Sequence, residues 1–173
     1  MINWPNLILI AGTGRKVGKT NLVCQLIRQV SIRGSKVAAI KLTPQFHQNC
    51  PGCQMLFEAD ELLILKEQCQ TTGKDSARMV EAGADPVFFV QANDSVLLQA
   101  IEFLMKSIPN DIAVICESAG MRRLVKPGYF ILIKGDEEKP KNLDFIALAD
   151  RIIKPFEFKN LQPEFIDRKS TRL

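Results

Sequence analysis

Short apolar runs alternate along this chain with segments of helical periodicity. Leu7-Ile8-Leu9-Ile10-Ala11 is continuously apolar and stops at Gly12, the pattern of a strand buried on both faces. From Gly18 to Arg33, the residues Leu22, Val23, Leu26, Ile27 and Val30 recur at helical spacing, and Gly34 follows where helices commonly stop. Val37 to Ile40 predicts a second strand, so the opening reads strand, loop, helix, strand. A helix linking two buried strands implies a parallel pair with a right-handed crossover.

Leu62 to Leu65 fits a strand or a helical turn equally well. Ser76 to Ala84 predicts a helix and Pro86 to Val90 a strand. Val96 to Ile108 predicts a helix, with Asn93 or Asp94 as its cap. Ile112 to Cys116 predicts a strand that closes on Glu117. Tyr129 to Ile133 predicts another strand, Asn142 to Ala149 a helix, and Arg151 to Ile153 a last short strand. The alternation implies an α/β domain, doubly wound, with a mainly parallel sheet and helices on both faces. Residues 1–160 form that domain in this reading, and 161–173 form a solvated tail.

The chain has 173 residues, 46% hydrophobic and 24% charged, enough for one core without staples. That balance excludes a disordered chain, a collagen-like repeat and a disulfide-stapled miniprotein. Lys plus Arg number 23 against 19 Asp plus Glu. The small excess suits an anionic small molecule and supplies no basic stripe for nucleic acid. No apolar run approaches the roughly 20 residues of a membrane span, and Met1 to Pro5 carries no basic leader. A cytoplasmic protein is expected. Its five cysteines, an odd number, then read as free thiols or metal ligands.

The chemistry concentrates in Gly12-Thr13-Gly14-Arg15-Lys16-Val17-Gly18-Lys19-Thr20, between a predicted strand and a predicted helix. Phosphate oxygens need converging backbone N–H groups, which glycines allow to approach, and a helix start adds its positive dipole end. In such a phosphate loop Lys19 reaches the β- and γ-phosphates and the Thr20 hydroxyl binds Mg²⁺. The strict pattern has glycine where this chain has Thr13. Glu117, ending a strand at the ligand edge of the sheet, is the candidate carboxylate for the metal or its water. Lys41, leaving the second strand, is either a γ-phosphate contact or a solvated lysine. Asp75 and Ser76 either cap a helix or touch ligand. Lys134-Gly135-Asp136 reads either as a charged turn ending a strand or as a partial match, with Ile133 in place of Asn, to the guanine reader Asn-Lys-x-Asp, in which an aspartate accepts from guanine N1–H and N2–H₂.

These landmarks resemble the molybdopterin-guanine dinucleotide biosynthesis protein B family, in the phosphate-loop branch that includes dethiobiotin synthetase. The correspondence runs through Gly12 to Thr20, Lys41-Leu42-Thr43, Gly73-Lys74-Asp75-Ser76, Ala82-Gly83-Ala84 and Glu117 with Ser118-Ala119-Gly120. The resemblance implies binding of GTP with Mg²⁺, slow hydrolysis with Lys19, Lys41 and Glu117 as catalytic residues, and service to molybdenum cofactor enzymes. A homodimer is the expected assembly. Where the family has a histidine-rich stretch, this chain has Pro44-Gln45-Phe46-His47. Cys50-Pro51-Gly52-Cys53 follows, foreign to the family pattern, and the loop spelling is nearer to that of dethiobiotin synthetase. Two alternatives therefore stand beside the family reaction, a metal or metallocofactor chaperone and an ATP-dependent ligase. His47, Cys50, Cys53 and Cys69 offer four ligands at spacings seen in Zn²⁺ sites, while a redox pair and plain loop thiols are the other readings. Cys24 and Cys116 read as buried small hydrophobes.

Overall fold

A computed structural model describes residues 1–46 and 52–160. Eight strands form one sheet: β1 (Ile2–Gly12), β2 (Val37–Thr43), β3 (Cys53–Ala59), β4 (Leu62–Glu67), β5 (Val87–Ala92), β6 (Ala113–Glu117), β7 (Val125–Ile133) and β8 (Arg151–Ile153). Their spatial order is β3-β4-β5-β2-β6-β1-β7-β8. The six strands from β5 to β8 in that order run parallel, and β4 pairs antiparallel with β5 and with β3. The helices are α1 (Lys19–Ile32), α2 (Asp75–Glu81) and α3 (Leu97–Ser107).

The strand period of two divides the apolar side chains of β1 between two cores. Leu7, Leu9 and Ala11 enter the layer packed by α3, and Ile8 and Ile10 enter the layer packed by α1 and α2. Helices therefore cover both faces, as the alternation of elements implies. Every strand between β5 and β7 in the spatial order is shielded, which explains why their apolar runs are legible.

Four expectations change, one of them the cap of α3, where Val96 stands at the helix start with no side-chain capping bond in place of Asn93 or Asp94. The first strand begins at Ile2 rather than Leu7, because Ile2, Asn3 and Trp4 pair with Val125 to Pro127 before a register irregularity. The ambiguous Leu62 to Leu65 segment is strand, and it forms a hairpin with β3, a strand that the pattern does not predict. The turn of that hairpin is Asp60-Glu61, with Glu61 at φ +61°, and it lacks the Asn-Gly signal that announces such turns. The expected helix over Asn142 to Ala149 is a 3₁₀ segment, Leu143–Leu148. Asn142 enters it at φ +56° without a capping bond, Ala149 leaves it extended, and only Phe145 is buried. One apolar anchor does not hold an α-helical face.

Candidate functional site

The loop from Gly12 to Thr20 leaves the central strand β1 and enters α1. Gly18 stands at the helix start with φ +89°, and Lys16 also adopts positive φ at +59°. A Cβ at Gly18 would strike the Phe158 ring, and one at Gly12 would strike Val17. The backbone is thus wrapped as closely as a phosphate cradle requires. Lys19 folds back so that its amine donates to the Gly14 carbonyl at 2.6 Å. Burial lowers the Lys19 pKa, against the opposing pull of Glu117. An anion entering the loop would offset that desolvation through its opposite charge. Interior strand, loop and helix start thus stand in a mainly parallel α/β sheet in the order that a phosphate loop requires.

Thr13, which departs from the strict loop pattern, is fully buried and structural. Its hydroxyl donates to Glu137 at 3.0 Å and accepts the Gly135 N–H at 3.0 Å. Its carbonyl accepts the Lys141 N–H at 2.7 Å, and Asn142 donates to the Gly12 carbonyl at 3.0 Å. A hydroxyl at this position clamps the segment after β7 onto the phosphate loop, which a glycine cannot do.

Four of the candidate residues meet at the C-terminal edge of the sheet. Register pairs Lys41 of β2 with Glu117 of β6, so the topology itself makes them neighbours. The Lys41 amine lies 2.6 Å from Glu117 Oε1 and 2.8 Å from Asp75 Oδ2. The Thr20 hydroxyl donates to Glu117 Oε2 at 2.8 Å, and Thr20 also acts to lower the Asp75 pKa. Burial acts to lower the Lys41 pKa, but Glu117 and Asp75 outweigh it and the pKa is raised. Burial likewise acts to raise Asp75, and the bond and charge of Lys41 outweigh it, leaving its carboxyl below the usual range. Both groups are therefore charged across the neutral range. The solvated-lysine reading of Lys41 does not hold, since its side chain is only 16% exposed.

Beside this cluster lies a cavity of about 390 Å³ lined by Lys41, Thr43, Gln45, Asp75, Ser76 and Phe89, among others. The other candidates are placed differently. The Lys134 N–H continues the sheet through the Ile153 carbonyl at 2.8 Å. Asp136 follows it in the segment clamped by Thr13. Glu137, missed in the sequence, carries the carboxylate that covers Gly14 and Gly135. It sits in a run of charges after β7 that looks like a solvated turn, so spacing offers no cue. Phe158 is missed too, and its carbonyl accepts a bond from Gln25 of α1 at 2.7 Å.

His47 and Cys50 lie outside the described residues. Cys53 is disulfide-bonded, and a disulfide sulfur offers a metal no thiolate. Cys69 is free, its pKa lowered by hydrogen bonds from the Thr71 side chain and backbone. Among the described residues no three His, Cys, Asp or Glu side chains gather as a metal site. The Zn²⁺ reading therefore gains no geometry from Cys53 and Cys69. Cys24 and Cys116 are buried, and burial raises both thiol pKa values.

No protein-family model matches this sequence, and no curated protein sequence does. Among solved structures the chain is similar to LpxK from Aquifex aeolicus, in a crystal structure in complex with ATP. The two are 16% identical with a TM-score of 0.47, over 90% of this chain and 50% of the other. This chain thus spans about half the length of that protein. No helix among the described residues is long and apolar enough to cross a membrane.

Proposed function

We propose that this protein binds a purine nucleoside triphosphate with Mg²⁺ and cleaves its γ-phosphate bond slowly, as a GTP-binding accessory of molybdenum cofactor assembly. The observation that carries the nucleotide reading is the convergence of Thr20, Lys41, Asp75 and Glu117 beside a strand-loop-helix phosphate cradle. The donors fit Mg²⁺, a hard ion that takes one or two carboxylates plus substrate phosphates. Thr20 would hold it directly, with Glu117 and Asp75 holding it or its waters. Bound there, the ion would supply positive charge against the phosphate oxygens. Lys19 leaves the Gly14 carbonyl to meet the phosphate chain, and the loop N–H groups donate to its oxygens. Lys41, pinned between two carboxylates, holds a fixed positive charge on the γ side, where charge develops during transfer.

The choice of GTP and of a molybdenum cofactor client rests on the family resemblance, with Asp136 as the candidate guanine reader. Calorimetry with GTP and ATP, with and without Mg²⁺, tests the reading. Expected is Mg²⁺-strengthened binding with GTP preferred, and absence of binding by either nucleotide would end it. The cavity beside Lys41 and Asp75 favours a second reading, an ATP-dependent ligase or transferase whose co-substrate enters there. NDP release that depends on an added carboxylate acceptor would select it over simple hydrolysis. The chaperone alternative has no supporting geometry among the described residues.

A further inference from the structure

Glu67 ends β4 as a carboxylate only 3% exposed, on the far side of α2 from the phosphate loop. Burying such a group is costly unless its oxygens are bonded. Oε2 accepts the Ser76 hydroxyl at 2.8 Å and lies 3.5 Å from the Cys53 sulfur, and Oε1 accepts the Cys69 N–H at 3.0 Å. Ser76 is itself 2% exposed and is the second residue of α2, directly after Asp75. From Asp75 the contacts continue to Lys41, Glu117 and Thr20. Besides the backbone ladder through β5 and β2, the hairpin is thereby joined to the phosphate loop through these side chains and the first turn of α2.

α2 has seven residues, and its N-cap Lys74 makes no side-chain capping bond. A helix that short does not hold its own first turn. Outside bonds fix that turn, among them Glu67 to Ser76 on one side, and Lys41 to Asp75 and Arg78 to Asn21 on the other. We propose that Glu67 is a positioning residue for the nucleotide site: by holding Ser76 it sets where Asp75 meets Lys41 and Thr20. This rests on the Mg²⁺-nucleotide reading above. Without the Glu67 bond, Asp75 has water as a competing partner, since its side chain is already 43% exposed. Lys41 would then lean on Glu117 alone, and the oxygen donors around Thr20 would lose their register.

Glu67→Gln keeps the shape of the side chain but leaves one acceptor oxygen for two donors, Ser76 and Cys69. Nucleotide affinity is measured with Mg²⁺ and with EDTA for the unmutated protein, Glu67→Gln, Ser76→Ala and the double variant. Partners one shell beyond a metal's ligands typically change its affinity by roughly 10–100-fold, and Glu67 stands one residue further out. Expected is a loss of about three- to tenfold in the Mg²⁺-dependent gain, unchanged affinity in EDTA, and a double variant no worse than either single one. Amide hydrogen exchange in the first turn of α2 should quicken in the same variants without nucleotide. An unaltered Mg²⁺ gain with unaltered exchange in folded Glu67→Gln overturns the proposal. Equal losses with and without Mg²⁺, or additive losses in the double variant, overturn it too, since they mark a merely structural role. If the unmutated protein binds no nucleotide, the site reading fails instead, and the exchange data still decide whether Glu67 places α2.

Discussion

The phosphate-loop side of the sheet and its β3–β4 edge are built on opposite terms. Around the loop, Thr13 is fully buried and Glu117 is 4% exposed, and their oxygens are bonded to side chains from other elements. Binding groups held this way enter a reaction with little reorganisation. On the edge strand β3, Gln54 and Met55 face water, and Leu56 and Phe57 are only half buried. Such a strand gains little from packing and tolerates change. The contrast teaches that chemistry and rigidity share one end of the sheet, with Glu67 as the point where the looser end is tied to it.

The largest expected effect separates binding from folding on the rigid side. Lys19→Ala should weaken triphosphate binding by at least about a hundredfold, because anionic oxygens lose a dedicated cation. The fold should survive, since among the described residues the amine bonds only the Gly14 carbonyl and its burial is itself unfavourable. Calorimetry beside circular dichroism checks both halves. A folded variant of unchanged affinity would remove the loop from the site.

Lys41→Met asks whether the cluster is also structural. It strands Glu117 and Asp75 without their cation, and breaking a buried pair by removing one partner costs about 3–5 kcal/mol. The lower end is expected here, because Thr20 still donates to Glu117 and Asp75 is partly open to water. Denaturant unfolding measures it, and a loss well under about 1 kcal/mol, the scale of an exposed pair, would show that the cluster serves ligand alone. The same pair sets a pH window. The depressed Asp75 contributes above its unfolded pKa near 3.9 and loses that contribution as pH falls through its lower folded value. The raised Lys41 contributes fully below about 10.4 and loses it as pH rises through its higher folded value. Stability curves should therefore drop below about pH 4 and above about pH 10, and Lys41→Met should flatten both drops. Parallel curves for the two proteins would contradict the coupling.

Thr13→Val tests the clamp rather than the cradle. It leaves the Gly135 N–H unsatisfied and removes the donor to Glu137, at about 1–3 kcal/mol for a buried group left unpaired. Thermal unfolding checks the loss. An unchanged midpoint would mean that the segment after β7 is held by its backbone bonds and the Asn142 amide without help from the Thr13 hydroxyl.

What is legible in the sequence follows the same division. The strands from β5 to β7 in the spatial order are shielded on both faces, so their apolar runs show without context. The cradle announces itself by glycines and Lys19-Thr20 because backbone approach and phosphate charge restrict those positions. Lys41, Asp75 and Glu117 can be named singly, but their meeting depends on β2–β6 register and on the placement of α2, which spacing does not encode. Glu67 and Glu137 give no signal: a glutamate ending an ambiguous strand and one in a charged run look solvated until the fold brings Ser76 and Thr13 to them. The edge strand β3 escapes notice because its half-buried faces carry no clean alternation and its turn is Asp60-Glu61. The 3₁₀ segment at Leu143–Leu148 reads as a helix because helical propensity does not register how little of it the core accepts.

The smallest effect belongs to the edge. Met55 is 57% exposed on β3, opposite Leu65 of β4. Replacing it with lysine removes little buried surface, and a charge on an edge strand discourages pairing with other chains. Met55→Lys should change stability by no more than about 0.5 kcal/mol, the ordinary range for surface substitutions, and leave nucleotide affinity as it was. Unfolding curves and calorimetry on the one variant decide the matter. A loss of Mg²⁺-dependent binding here would mean that the whole hairpin, and not only the Glu67 carboxylate at its inner strand, communicates with the phosphate loop, and the division between a rigid site and a tolerant edge would fail.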